Sequence, residues 1–145
     1  MLVDKKTYFR ERGSIGEFPS FDVLQRKECE TVKSRILKSF SVDAHLDKYK
    51  ATFEIRSKSE LALGNFDEAT LALEGFLRYA IGYISSDIYL NFCHFDEINR
   101  MKFSDFATYF SDIWFPGADD LDIFDVTFSW IIQFGHENEI FLLKA

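Results

Sequence analysis

Between Asp112 and Asp125 the chain reads Asp-Ile-Trp-Phe-Pro-Gly-Ala-Asp-Asp-Leu-Asp-Ile-Phe-Asp, with Asp112, Asp119, Asp120, Asp122 and Asp125 set among Trp114, Phe115 and Phe124. Carboxylates at this density are the hard oxygen donors that Mg²⁺ and Ca²⁺ prefer. The spacing fits a cation loop poorly. An EF-hand alternates its acids, needs glycine at its sixth position and ends on Glu, whereas here Asp120 and Asp122 are followed at the next alternate place by Phe124. A two-metal nuclease usually adds a Lys or His beside its carboxylates, yet no Lys or Arg occurs between Phe103 and Leu143. We therefore assign no metal ligands and no cofactor, and keep metal-dependent hydrolysis by the Asp cluster as an alternative. A sharper expectation comes from aromatic anchors ringed by acids, a pattern that captures Lys and Arg of a protein partner by steering plus desolvated contacts. In that reading Asp112, Asp119, Asp120, Asp122 and Asp125 face cationic groups and Trp114 or Phe115 supplies the apolar anchor. Glu137 and Glu139 extend the patch if the loop that carries them folds alongside. The plain alternative is a solvated loop whose acids keep an aromatic-rich chain soluble while Trp114 and Phe124 fill core.

The rest of the chain offers little to catalysis. His45, His94 and His136 form neither HExxH nor His-x-His. Of the three, His136 stands out, because Glu137 and Glu139 beside it in a tight loop would raise its pKa. Gly13 and Gly16 lack the third glycine and preceding strand of a dinucleotide loop, and GxxxxGK[ST] is absent. No serine lies in G-x-S-x-G, so no nucleophile is proposed. Cys29 and Cys93, far apart and outside any CxxC, read as two buried thiols in a reducing compartment.

Charge is divided unevenly. Residues 1–72 hold 13 Lys/Arg against 12 Asp/Glu, and residues 73–145 hold 4 against 12, within a chain of net charge −7. An acidic half of this kind repels nucleic acid and anionic membrane, since phosphate binding needs cations to replace counterions. It attracts a basic protein surface. With 47% hydrophobic residues and 17 Phe in 145 residues, the chain has enough apolar surface to fold into one core. The opening Met-Leu-Val-Asp-Lys-Lys lacks the apolar stretch of a secretory signal, and no apolar window reaches membrane-spanning length. A cytoplasmic protein is the expectation.

These side chains must be held by regular elements. Residues 1–17 read as a loosely ordered arm. Ser20 caps a helix in which Phe21, Leu24, Val32, Ile36 and Phe40 share a face, ending near Ser41. Ala51 to Arg56 alternates as a strand with one wet face. Asn65 and Glu68 approach a capping box before the stripe Phe66, Ala69, Leu73, Phe76, Leu77, Ala80, Ile81 and Ile84, which predicts a second helix over 65–84. Ile88 to Phe95 reads as a central strand, apolar on both faces, and Ser104 caps a short third helix. Pro116-Gly117 turns the chain. Val126 to Phe134 alternates as a strand, and Ile140 to Leu143 returns across the loop Gly135 to Glu139 as a C-terminal β-hairpin. The expected fold is a single α+β domain, 1–145, with a mainly antiparallel sheet of four to five strands and two main helices packed on one face.

The stretch Tyr109 to Glu139, with Asp112-Ile-Trp114-Phe-Pro116-Gly, Asp119-Asp120, Asp122-Ile-Phe-Asp125, Ser129-Trp130-Ile and His136-Glu137, resembles the C-terminal portion of small bacterial proteins. Some of these belong to the immunity-type proteins of contact-dependent and polymorphic toxin systems. The resemblance covers about a fifth of the chain. It implies a small, acidic, cytoplasmic domain that binds a basic, nuclease-like toxin and blocks it, and it transfers no residue roles. The expected function is therefore that of an immunity protein rather than an enzyme, with a metal-dependent hydrolase or a structural or adaptor subunit as alternatives.

Overall fold

The computed structural model describes residues 1–145, the side chain of Cys93 excepted. The arm predicted over 1–17 is instead headed by a helix, α1 (Leu2–Glu11), which buries Leu2, Lys5 and Phe9. Phe21–Val23 forms a short strand, β1, and not the start of a helix. The following helix, α2 (Arg26–Ser39), begins where Gln25 and Glu28 complete a capping box, and its buried face is Cys29, Val32, Ile36 and Leu37. Cys29 is a free, buried thiol, whereas the expectation for Cys93 falls outside the described side chains.

The strand expected over Ala51 to Arg56 is a helix, α3 (Lys48–Lys58). Asp47 caps it by accepting from the Tyr49 and Lys50 amides, each at 3.0 Å. Ala51 and Ile55, four residues apart, turn inward, while Phe53 is 71% exposed. The apparent alternation was thus two residues of a helical face plus one outward aromatic. β2 (Glu60–Leu63) follows directly. The second helix is shorter than its stripe: α4 spans Leu73–Ile81, and residues 65–72 are turns. Asn65 adopts a positive φ of 51° and caps no helix, so the capping box does not form. Gly82, at φ 92°, ends α4 with a backbone that side chains rarely adopt.

β3 (Asp87–Cys93) and β4 (Glu97–Lys102) form a hairpin, followed by α5 (Phe103–Thr108) and α6 (Phe110–Ile113). β5 (Leu121–Asp125), β6 (Trp130–Gly135) and β7 (Glu139–Lys144) complete the chain. All seven strands join one antiparallel sheet in the order β1-β4-β3-β5-β6-β7-β2, larger than the four to five strands expected. The predicted C-terminal hairpin is its β6-β7 pair. β5 is the central strand, and every one of its residues is buried. The acid-rich segment that reads as a solvated loop or surface patch therefore runs, from Leu121 on, through the middle of the molecule.

Helices cover both faces of the sheet, not one. Ile88, Leu90, Met101, Leu121, Ile123, Ile132 and Phe134 pack against Leu2 and Phe9 of α1, Leu77 of α4, Phe106, Phe110 and Trp114. On the other face Tyr89, Ile98, Phe124 and Ile131 meet Val32 and Ile36 of α2 and Ala51 and Ile55 of α3. Each fully buried Ile or Phe contributes roughly 1.5–3 kcal/mol, so a central strand with apolar residues on both faces holds the two layers together. Among the described residues no helix is long and apolar enough to cross a membrane.

Candidate functional site: a polar cleft at the end of the sheet

One buried transverse row of polar side chains crosses the face of the sheet under α2 and α3. Asn91 of β3 lies opposite Asp122 of β5, and Asp122 lies opposite Gln133 of β6. All three are buried, at 2%, 8% and 1% exposure. Their hydrogen bonds explain how polar groups are tolerated there. The Asn91 Nδ2 donates to Asp122 Oδ2 at 3.1 Å, and the Phe95 amide donates to Asn91 Oδ1 at 2.7 Å. Arg56, one turn after Thr52 on α3, donates its Nε to Gln133 Oε1 at 3.0 Å and lays its guanidinium 4.0 Å from the Phe141 ring. Burial pushes the Asp122 carboxyl up to about 6, against the pull of hydrogen bonds from Gln133 and Asn91 and of the Arg56 charge, while nearby Asp120 adds to the rise.

Above this row opens a cleft of about 230 Å³, whose walls include Thr52, Arg56, His94, Asp119, Asp120 and Asp122. Its α3 side ends in an aromatic rim: His94 Nδ1 sits 3.0 Å from the Thr52 hydroxyl, and the Tyr49 ring lies 4.6 Å from the His94 ring. Tyr49 is 62% exposed, and Phe53 follows one turn later on the same helix.

The five aspartates named from the sequence meet five different fates. Asp112 pairs with Arg12 beyond the end of α1. Asp119 forms a buried ion pair with Lys5 and accepts from the Phe115 amide at 2.8 Å. Asp120 is well exposed and accepts from the His136 amide at 3.0 Å and from its ring Nδ1 at 2.9 Å. The His136 pKa is raised, as its setting implied, but chiefly by the Asp120 hydrogen bond and charge, with Glu137 a lesser cause. Asp122 lies in the cleft floor. Asp125 is fully buried at the other end of β5, where it accepts from the Ser85 amide and from the Thr127 amide and hydroxyl.

Trp114 cannot serve as a surface anchor, because it is fully buried: its ring stacks on Phe110 at 5.5 Å and 4°, and its Nε1 donates to the Asp119 carbonyl at 3.0 Å. Phe115 is half-buried between the Lys5 ammonium, 3.4 Å from its ring centre, and Tyr8. Glu137 is exposed and Glu139 half-buried in the β6-β7 hairpin. Of the expected patch, Asp119, Asp120 and Asp122 come together, His136 links them to the hairpin, and Asp112, Trp114 and Asp125 lie elsewhere. Among the described residues no group of three or more His, Cys, Asp or Glu side chains is arranged to hold a metal ion.

Sequence reasoning missed Arg56, Asn91, Gln133, Thr52 and the aromatic rim. Asn91 and Gln133 did leave a signal, each being a lone amide inside an otherwise apolar strand. Arg56 and Thr52 left none, because their segment read as a strand. The arrangement offers a carboxylate rim, amide walls and exposed aromatics, which suit the capture of a cationic side chain. The chain matches no protein-family model, no curated protein and no solved structure.

Proposed function

We propose that this chain is a cytoplasmic binding protein of the immunity type, which neutralises a basic, nuclease-like toxin by seating a cationic side chain of the toxin in the cleft. The observation that carries this reading is the convergence of Asp120 and Asp122 on one cleft beside exposed aromatics, Asp119 in the same wall being paired with Lys5. Asp120 meets the partner first, being the exposed acid of the three. The apolar contacts come from Tyr49 and Phe53 of α3 in place of Trp114. An aromatic contact next to a desolvated charge pair is the usual anatomy of an interface hot spot, and the surplus of acids steers a basic partner into it.

The test is coexpression with the product of the adjacent reading frame. The chain is expected to rescue growth from a toxic neighbour, Asp120→Lys to lose that rescue, and Tyr49→Ser/Phe53→Ser to weaken it at least tenfold, with the fold unchanged by circular dichroism. A neighbour that is harmless, or rescue by Asp120→Lys as complete as by the wild type, would sink the reading.

A further inference from the structure

At the far end of β5 from the cleft, a second concavity has a different chemistry. The turn from β5 to β6 is organised by Asp125, whose carbonyl accepts from the Phe128 amide at 3.0 Å and whose carboxylate holds Thr127. Phe128 is thereby fixed at φ 51°, a left-handed conformation uncommon for a bulky residue. Strained backbone of this kind persists where the surroundings over-determine it, and it concentrates at ligand sites. The conformation turns the Phe128 ring under α2, nearly parallel to Tyr89 at 20° and 6.1 Å between centres. Between these rings and α2 lies a groove of about 440 Å³, within the size range of small-molecule sites.

The groove is edged by cations. Lys27, Thr31 and Arg35 follow one another at four-residue spacing along α2, and the Arg35 guanidinium rests 4.4 Å from the Phe128 ring centre. Neither Lys27 nor Arg35 has an ion-pair partner among the described residues, whereas Lys5, Arg12, Lys48, Arg78 and Arg100 each meet a carboxylate. The acid among the groove's lining residues, Glu28, accepts from the Gln25 amide in the helix cap at 3.2 Å.

We infer that this groove binds a planar aromatic anion, its ring on the exposed Arg35 guanidinium and against the edges of the buried Tyr89 and Phe128 rings, and its acidic group on Arg35 and Lys27. Charge alone is not enough to hold a ligand here. The chain as a whole is acidic, so a bare anion is repelled on approach and gains only two exposed contacts. A ring adds apolar burial and a face for the guanidinium. The ligand must carry both halves.

Titration of the ¹⁵N-labelled full chain with phenyl phosphate, inorganic phosphate and benzyl alcohol separates these contributions. Phenyl phosphate is expected to shift the amides of residues 25–35 and 126–128 saturably, and to bind at least tenfold more tightly than either half-ligand. Arg35→Ala should weaken it about tenfold and Lys27→Ala less. Both side chains are exposed, and an unchanged urea midpoint in each variant verifies that the fold is intact. Equal binding of phosphate and phenyl phosphate, shifts located elsewhere, or undiminished affinity in a folded Arg35→Ala variant overturns the assignment.

Discussion

The Lys5 ammonium and the Asp119 carboxylate, 114 positions apart, form an ion pair with side chains only 5% and 8% exposed. This contact clamps α1 to the loop that leads into β5, and it removes one acid from the surface that a partner meets. Breaking one side of a buried pair leaves a charge without its partner, at about 3–5 kcal/mol. Lys5→Met should therefore destabilise the chain by that order in urea unfolding. Adding Asp119→Asn should recover part of the loss, and a strictly additive double variant would show that the two groups do not interact.

Asp122 gives stability a pH dependence of unusual sign. Its folded pKa of about 6 stands above the ordinary carboxyl value of 3.8. The folded state thus holds a proton that the unfolded state has released across that window. Stability from this group is full below about pH 4 and falls as pH rises through 6, by a total on the order of 3 kcal/mol. Asp122→Asn should flatten the slope between pH 4 and 6 and raise stability at pH 7. A variant less stable than wild type at pH 7 would mean that the hydrogen bonds from Asn91 and Gln133 and the Arg56 charge outweigh desolvation.

Asp125 is a structural acid. Asp125→Ala leaves the Ser85 and Thr127 amides without their acceptor, and should cost about 3 kcal/mol. Urea unfolding measures the loss, and slower-growing hydrogen exchange at residues 126–129 would contradict it, since the turn is expected to lose protection.

His136 reports on Asp120. Because the Asp120 carboxylate hydrogen-bonds the imidazolium, Asp120→Asn should lower the His136 pKa toward the ordinary histidine value, as followed by the ring-proton shifts. The sign for stability is the same as that for Asp122, because in both groups the folded state holds the proton more tightly than the unfolded state. The raised histidine contributes below its unfolded value of 6.5 and loses that contribution as pH rises through the folded value. An unchanged pKa in Asp120→Asn would assign the shift to Glu137.

Trp114 is predicted to behave as core. Trp114→Ala should cost about 3–5 kcal/mol, measured by urea unfolding. A variant as stable as wild type would return the residue to the surface role its setting first suggested.

The amino-acid sequence by itself determined the elements whose signals are local. The stripe predicted over 65–84 and the alternations predicted over Ile88 to Phe95 and Val126 to Phe134 reflect the periods of helix and strand. Each became an element of that type over part of its length, Leu73–Ile81, Asp87–Cys93 and Trp130–Gly135, while residues 126–129 form the turn in which Phe128 takes φ 51°. Where propensity and pattern disagreed the reading failed: Ala51 to Arg56 alternates over too few residues to outweigh the Asp47 cap and the helix-forming Lys, Ala, Glu and Arg around it. Only the tertiary structure decided what the acids do. A carboxylate in a sequence looks the same whether water, Lys5, the Ser85 amide or Asn91 faces it, because those partners come from 31 to 114 positions away and are set by strand order and register. For the same reason the segment from Asp112 to Asp125, acidic enough to read as surface, could close over a central strand: burial is decided by what packs against both faces, and that is a property of the sheet as a whole.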